Sequence, residues 1–283
     1  MKIAIASGKG GTGKTTVATN LAASVDGPVQ LLDCDVEEPN AHIFLPVENP
    51  RKTVVGTMVP EVDNDRCSLC GACSDICQFS AIMKLGDTVL TFPEMCHSCR
   101  GCQMVCPEDA IGESTRELGE VVRGRCGGID LVYGRLRVGE AMSPPLIEAV
   151  KERAAGSGTV IIDAPPGTSC PVMTALRGVD FVVLVTEPTP FGFNDLVLAV
   201  EAVRTLQIPF GLVINRCDSG DAQVRRYARD EGIPVLLEIP ERREIAAHYS
   251  RGVMMTRELA DMRSAFEKLY ADIVDRIGAQ TQR

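Results

Sequence analysis

No run of basic residues interrupts this 283-residue sequence, and its formal charge is −9. Nucleic acid, a polyanion held largely through its phosphates, has no electrostatic footprint here. Nor is there an apolar stretch approaching the roughly eighteen residues that a membrane span needs, so no membrane insertion is expected. No leader segment is expected either, since Met1 runs straight into an apolar strand pattern, and the expected location is cytoplasmic. Tryptophan is absent, which by itself excludes nothing. In a cytoplasmic chain, twelve cysteines argue against disulfides and for metal. The length allows a sizeable core, in one large or two ordinary domains.

What is present begins with Ser7–Thr16, S-G-K-G-G-T-G-K-T-T. Gly8, Gly13, Lys14 and Thr15 fit the phosphate-loop pattern G-x-x-x-x-G-K-[ST]. A short apolar strand precedes the loop and a helix follows, the context that separates a working loop from a chance match. Glycines let successive N–H groups of Gly8, Lys9, Gly10, Gly11, Thr12 and Gly13 turn onto phosphate oxygens. The helix N-terminus at Lys14, Thr15 and Thr16 adds partial positive charge. Lys14 is placed to reach the β- and γ-phosphates, and the Thr15 hydroxyl to hold Mg²⁺. The cofactors expected here are ATP/ADP and Mg²⁺.

A second lysine, Lys9, follows the first glycine. With it the loop resembles that of the deviant phosphate-loop ATPases, the MinD, ParA and Mrp group that includes the nitrogenase iron protein. The resemblance implies that Lys9 crosses a dimer interface to the phosphates held by the other subunit. It also implies a homodimer, or a heterodimer with a close paralogue, sandwiching ATP. Further on, Asp33-Cys34-Asp35 closes the strand pattern Pro28–Leu32. Carboxylates spaced by one residue at a strand's C-terminal end point the same way, toward the ligand crevice. In the family this pair flanks the γ-phosphate, so Asp35 would orient the attacking water and Asp33 would support the Mg²⁺ shell. Thr159–Ile162 reads as another buried strand ending in Asp163. By resemblance, Asp163 also supports Mg²⁺ and the Gly167 N–H senses the γ-phosphate. The same resemblance implies that Asn215, ending the strand Phe210–Ile214, reads the adenine edge, with backbone groups of Pro240 and Glu241 completing the base site.

Between Lys52–Val59, a strand interrupted by Pro60, and a glycine-spaced hairpin over 120–138, the composition changes abruptly. Cys67-x2-Cys70-x2-Cys73-x3-Cys77 is followed by Cys96-x2-Cys99-x2-Cys102-x3-Cys106-Pro107. Arg66–Ile82 and Met95–Ile111 form an internal repeat that matches Gly71 with Gly101 and Ala81-Ile82 with Ala110-Ile111. This is the spacing of bacterial two-cluster ferredoxins, in which the fourth cysteine of each run reaches the other cluster. One 4Fe–4S cluster is then expected on Cys67, Cys70, Cys73 and Cys106, and a second on Cys96, Cys99, Cys102 and Cys77. Structural zinc fits worse, since its paired ligands are separated by a longer spacer. Gln78 stands where the repeat has Pro107, which alters solvent access without removing a ligand. His97 reads as a surface or supporting residue, and Cys126 as a loop cysteine. Cys170, beside the Gly167 segment, is a candidate ligand at the dimer axis.

The segment 61–112 carries eight acidic residues against Arg66, Lys84 and Arg100, a net of −5 that suits a basic redox partner as well as simple solubility. Ser143 with Pro144 is expected to cap a helix through Ala154. Leu259, Met262, Phe266, Leu269, Ile273 and Ile277 recur at helical spacing. Their acidic outer face fits a core-packing helix better than a membrane-surface one.

The expected fold is α/β: a doubly wound, mostly parallel P-loop NTPase sheet built from 1–60 and 113–283, with a small α+β ferredoxin-like two-cluster domain inserted at 61–112. The leading functional expectation is an ATPase that couples dimer closure to electron transfer through two 4Fe–4S clusters, toward an unidentified redox or iron–sulfur acceptor. An iron–sulfur carrier and a MinD-like positioning ATPase are the alternatives.

Overall fold

In the computed structural model, which describes residues 1–281, β1 (Lys2–Ala6) is buried beyond its first residue. Ile3 and Ile5 join one hydrophobic cluster, and Ala4 and Ala6 join another. This is the period-two signature of a strand covered on both faces. The chain continues through α1 (Lys14–Ala23), β2 (Val29–Asp33), α2 (Ala41–Phe44) and β3 (Glu48–Val62). The cysteine-rich segment holds α3 (Ala72–Ile76), β4 (Ile82–Leu85), β5 (Thr88–Thr91), a 3-10 turn at Pro93–Met95 and α4 (Gly101–Met104). Then come β6 (Ile111–Cys126), β7 (Ile129–Leu136), α5 (Pro144–Lys151), β8 (Thr159–Asp163), α6 (Cys170–Leu176) and β9 (Phe181–Thr186). The chain closes with α7 (Pro190–Thr205), β10 (Phe210–Asn215), α8 (Gln223–Asp230), β11 (Val235–Ile239), α9 (Arg243–Tyr249), α10 (Met255–Glu258) and α11 (Ala260–Thr281).

Nine strands form one sheet in the order β11-β10-β9-β1-β8-β2-β7-β6-β3. From β11 to β7 every neighbouring pair is parallel, whereas β6 and β3 are antiparallel additions at one edge. One face is covered by α5, α6, α7 and α8, and the other by α1, α2, α10 and α11. The fold is the expected doubly wound, mostly parallel P-loop sheet. In α11, Phe266, Leu269 and Ile273 are fully buried, so this helix packs on the core as its spacing predicts. Among the described residues no helix is long and apolar enough to cross a membrane.

Several local expectations are corrected. Pro60 does not interrupt the strand, which runs on to Val62. β3 is an edge strand, and one row of its N–H groups has no ladder partner to lose. Ser143 does not cap α5 with its side chain, and that helix ends at Lys151 rather than Ala154. Cys126 is the last residue of β6, not part of a loop, and it packs against the core on the α1 face.

A buried ion pair ties the antiparallel edge to the main sheet. Arg116 of β6 meets Glu140, with side chains only 8 % and 1 % exposed and an Nη2–Oε1 contact of 3.1 Å. Removing one partner strands a desolvated charge, which costs far more than the pair contributes. Glu140→Ala should therefore lower unfolding free energy by about 3–5 kcal/mol in urea titrations. The double change Arg116→Met, Glu140→Leu should recover most of that loss.

Candidate functional site

The phosphate loop is shaped from both ends. Gly13 sits at the N-cap of α1 with φ +96°, a left-handed conformation that favours glycine. A Cβ there would lie 2.5 Å from Asn215 Nδ2. That amide donates to the Thr12 carbonyl at 2.9 Å, so a side chain from the end of β10 holds the loop closed. Among the described residues no side chain caps α1, which leaves its first-turn N–H groups to the cleft, ready for an anion. Asn215→Ala should cost about 1 kcal/mol of stability and weaken nucleotide binding for every base, as read by fluorescence titration of ATP and GTP analogues. A role confined to adenine recognition would weaken only ATP.

Three carboxylates stand at neighbouring strand ends. Asp33 and Asp163 are directly paired in the β2–β8 register. Asp163 is fully buried, and its Oδ2 accepts from the Thr15 hydroxyl at 2.6 Å. Its Oδ1 is buried with no partner among the described residues, as is the Thr12 hydroxyl. Burial pushes Asp163 up to about 7, against the opposing pull of Thr15 and Lys14. Burial likewise lifts Asp35 to about 6, although Lys14 draws it down. Lys14 is itself only 6 % exposed and lies close enough to act on both acids. An unpartnered carboxylate oxygen beside a hydroxyl at the foot of a phosphate loop suits Mg²⁺, which is held by few protein groups together with waters and phosphates.

Asp33 is held by backbone donors. It is fully buried, with Oδ2 accepting from the N–H groups of Asn40 and Ala41 and Oδ1 from that of Asp35. Burial and the neighbouring Asp163 hold its carboxyl well above the usual range. Its oxygens accept from the 35–41 turn, so it shapes that turn and positions Asp35. The Gly167 N–H is also engaged, donating to the Ser7 carbonyl at 3.0 Å. Contact with a γ-phosphate requires exchanging that bond.

A cleft of about 290 Å³ brings together Gly11, Gly13, Lys14, Thr15 and Thr16 with Asn215, Pro240 and Glu241. Sequence reasoning missed its other wall: Arg216, Arg242, Ile245, Ala246, Tyr249 and Met255. These come mainly from α9 and α10, short helices without a motif; only the adjacency of Arg216 to Asn215 signalled any of them. Lys9 and Gly10 lie on the loop outside this cleft, and Gly8 packs against the backbone of Asp195 in α7.

The eight clustered cysteines divide between two small cavities. Cys67, Cys70, Cys73 and Cys106 line one, with Val62, Val89 and Ile111. Cys77, Cys96, Cys99 and Cys102 line the other, with Phe79 and His97 stacked ring on ring at a centroid distance of 3.5 Å. The backbone repeats with the cysteines. Left-handed Leu69, Gly71 and Ser80 recur 29 residues later as Ser98, Arg100 and Asp109. The structural partner of Gly71 is therefore Arg100, not Gly101; both are left-handed N-caps, of α3 and α4. Ala81 N–H donates to Cys77 Sγ and Ala110 N–H to Cys106 Sγ, each at 3.3 Å. Burial raises Cys77, but backbone N–H groups of Phe79, Ala81, Ile82 and Ser80 outweigh it and bring the thiol below its ordinary value. Such donors favour the thiolate, the form that binds iron. Among the described residues no three potential ligands converge tightly enough for a single ion. In a cubane each thiolate would bind its own iron, so four sulfurs around one cavity are the donor set that such a group takes. Cys170 is exposed at the start of α6 and lines neither cavity.

Known proteins resemble both the chain and its fold. An uncharacterized protein of Methanocaldococcus jannaschii is 37 % identical over 221 residues, covering 76 % of this chain and 78 % of that one. An iron-sulfur cluster carrier protein of Pyrococcus horikoshii is 23 % identical over 258 residues, covering 84 % and 73 %. Among solved structures, the septum site-determining protein MinD complexed with Mg-ADP, also from Pyrococcus horikoshii, matches with a TM-score of 0.59. Its identity is 20 %, over 96 % of this chain and 95 % of that one. Residues 3–254 match the CobQ/CobB/MinD/ParA nucleotide binding domain. With a strand, phosphate loop and uncapped helix at its first turn and acids at the tips of β2 and β8, this chain belongs to the MinD/ParA-type family of P-loop ATPases.

Proposed function

We propose that this chain is the subunit of an ATP-driven dimer that passes electrons through two 4Fe–4S clusters to a protein acceptor. The observation that carries the reading is the division of the cysteines: each cavity takes three from one run and the fourth from the other. That exchange has no purpose in two independent zinc sites and is the arrangement two-cluster ferredoxins use. The ATPase is then discontinuous, 1–60 and 113–283, and 61–112 is the cluster module. The clusters would supply one-electron storage and transfer.

The protein's own groups supply the switch. Lys14 and the N-terminus of α1 hold the phosphates, while Thr15 and Asp163 hold Mg²⁺. Asp35, half-buried and lifted to about 6, orients the attacking water. Lys9, free of the cleft, reaches the phosphates of a second subunit, a copy of this chain or a close paralogue. Asn215, Pro240 and Glu241 border the base. Hydrolysis removes the γ-phosphate, and Gly167 returns to Ser7. Closure and opening then change how the cluster module meets its acceptor.

The test is a comparison of ATP hydrolysis and dimer content with the clusters oxidised and then reduced by dithionite, under anaerobic conditions. A several-fold change in rate supports coupling. Indifference of both quantities to cluster state, with no acceptor reduced, removes it.

A second reading, cluster delivery, is favoured by the carrier protein among the relatives. Delivery predicts loss of iron to a chelator and transfer to an apo-acceptor. Retention through repeated dithionite cycles predicts the redox role, which complete four-cysteine ligation favours.

A further inference from the structure

The hairpin β4–β5 has its apolar face on the wrong side for a solvated hairpin. Its register pairs Ile82 with Thr91, Met83 with Leu90, Lys84 with Val89 and Leu85 with Thr88. Directly opposed residues share a face, and so do residues two apart. Ile82, Lys84, Val89 and Thr91 therefore form the inner face. Ile82 and Val89 are buried there, Val89 lines the cavity of Cys67, Cys70, Cys73 and Cys106, and Lys84 Nζ donates to the Leu69 carbonyl.

The outer face is Met83, Leu85, Thr88 and Leu90. A hairpin covered on one side ordinarily turns polar residues outward. Here Met83, Leu85 and Leu90 are 40 %, 62 % and 40 % exposed, and threonine is the only polar member. Phe92, 39 % exposed, extends the apolar surface at the base of the hairpin, where its N–H donates to the Ala81 carbonyl. Contiguous exposed apolar surface of this kind marks a contact site.

Charge identifies the occupant. The segment 61–112 carries a net −5, with Asp87 at the hairpin tip and Glu94 just beyond Phe92. A second copy of this face would set −5 against −5, which opposes pairing. A surface with an apolar centre and a ring of lysine or arginine is complementary on both counts.

We propose that the outer face of β4–β5 docks a protein partner that presents an apolar patch ringed by basic side chains. That this partner is the electron acceptor rests on the proposed redox function; the docking itself does not. A partner seated there is separated from both cysteine cavities by one layer of sheet, since Val89 on the inner face of β5 lines the first and Ile82 on the inner face of β4 lines the second.

The probe is cytochrome c, a basic haem protein with lysines around an exposed apolar haem edge. Binding of labelled cytochrome c to the full-length, anaerobically reconstituted protein is measured by fluorescence anisotropy; its reduction is followed by stopped flow after the protein has been reduced with dithionite and freed of the excess, each reduced cluster giving one electron to one ferric haem. Leu85→Ser with Leu90→Ser should weaken binding about tenfold, the combined loss of two contact side chains, with iron content unchanged. Asp87→Lys with Glu94→Lys should weaken it as well and flatten its salt dependence, whereas Met104→Ser, at an exposed site on α4, should leave it unchanged. Binding that ignores the leucine changes overturns the proposal. So does a concentration-dependent dimer, seen by sedimentation, that disappears in the leucine variant while cytochrome binding persists. Normal docking without reduction of the haem would instead remove the redox function and leave the surface standing.

Discussion

On the proposed two-cluster assignment, changing Cys106 to alanine should remove about four of about eight irons and leave the cluster assigned to Cys96, Cys99 and Cys102 intact, although Cys106 belongs to their run in the sequence. The reason is spatial. Cys106 lines the cavity of Cys67, Cys70 and Cys73, while Cys77, from the first run, lines the cavity of Cys96, Cys99 and Cys102. Each donor is held by its own N–H···S bond at 3.3 Å, from Ala110 and Ala81 respectively, so each sulfur stays directed at its cavity without its run. Cys77→Ala should spare the opposite cluster. Iron content, with the electron paramagnetic resonance of the reduced protein, separates the two. If Cys106→Ala instead abolishes the signal that Cys99→Ala also abolishes, while Cys77→Ala leaves it intact, the crossing is wrong and each run binds its own metal.

The second large effect concerns two lysines five residues apart. Lys14→Ala should lower ATP hydrolysis by about 10²–10³-fold or more, the usual cost of removing one preorganised group from a site of developing charge. Two losses coincide. The phosphates lose a buried cation, and Asp35 and Asp163 lose the charge that opposes their burial, so both rise further above about 6 and about 7. Higher acids are poorer at holding Mg²⁺ and water at neutral pH. Lys9→Ala should differ in kind. Because Lys9 lies outside its own cleft, monomeric nucleotide binding should survive while the ATP-bound dimer and hydrolysis are lost. Phosphate release, nucleotide titration and sedimentation with a slowly hydrolysed analogue test both variants. Equal loss of nucleotide binding in both would show that Lys9 acts within its own subunit.

The sequence makes local features readable. Strand, loop and helix over 2–23 follow from neighbouring residues, as do the cysteine spacings and the apolar stripe of α11. Contacts between distant residues are not readable in this way. The bond from Asn215 to the Thr12 carbonyl spans 203 residues, and no local pattern announces that the expected base reader also braces the phosphate loop. Asp33 and Asp35 look equivalent as a D-x-D pair; only the approach of the Asn40 and Ala41 N–H groups turns the first into a turn-forming residue. The hairpin β4–β5 escaped because four-residue strands inside a cysteine repeat are too short to show a period. Arg100 misled because glycine is the expected left-handed residue, and Gly101 stood beside it.

The long ribbon of β3 and β6 bears on how such a chain could arise. Val62 and Ile111, where the cysteine-rich segment leaves and returns, are direct partners in the ladder. The two crossing points are thus already a strand's width apart, and closing the chain between them with a short turn carries little entropic penalty. Ancestry through splicing needs only that junction: a plain hairpin tip in an ATPase is an open port, and forty-eight residues of cysteine-rich chain fit through it without the rest of the sheet changing its pairing.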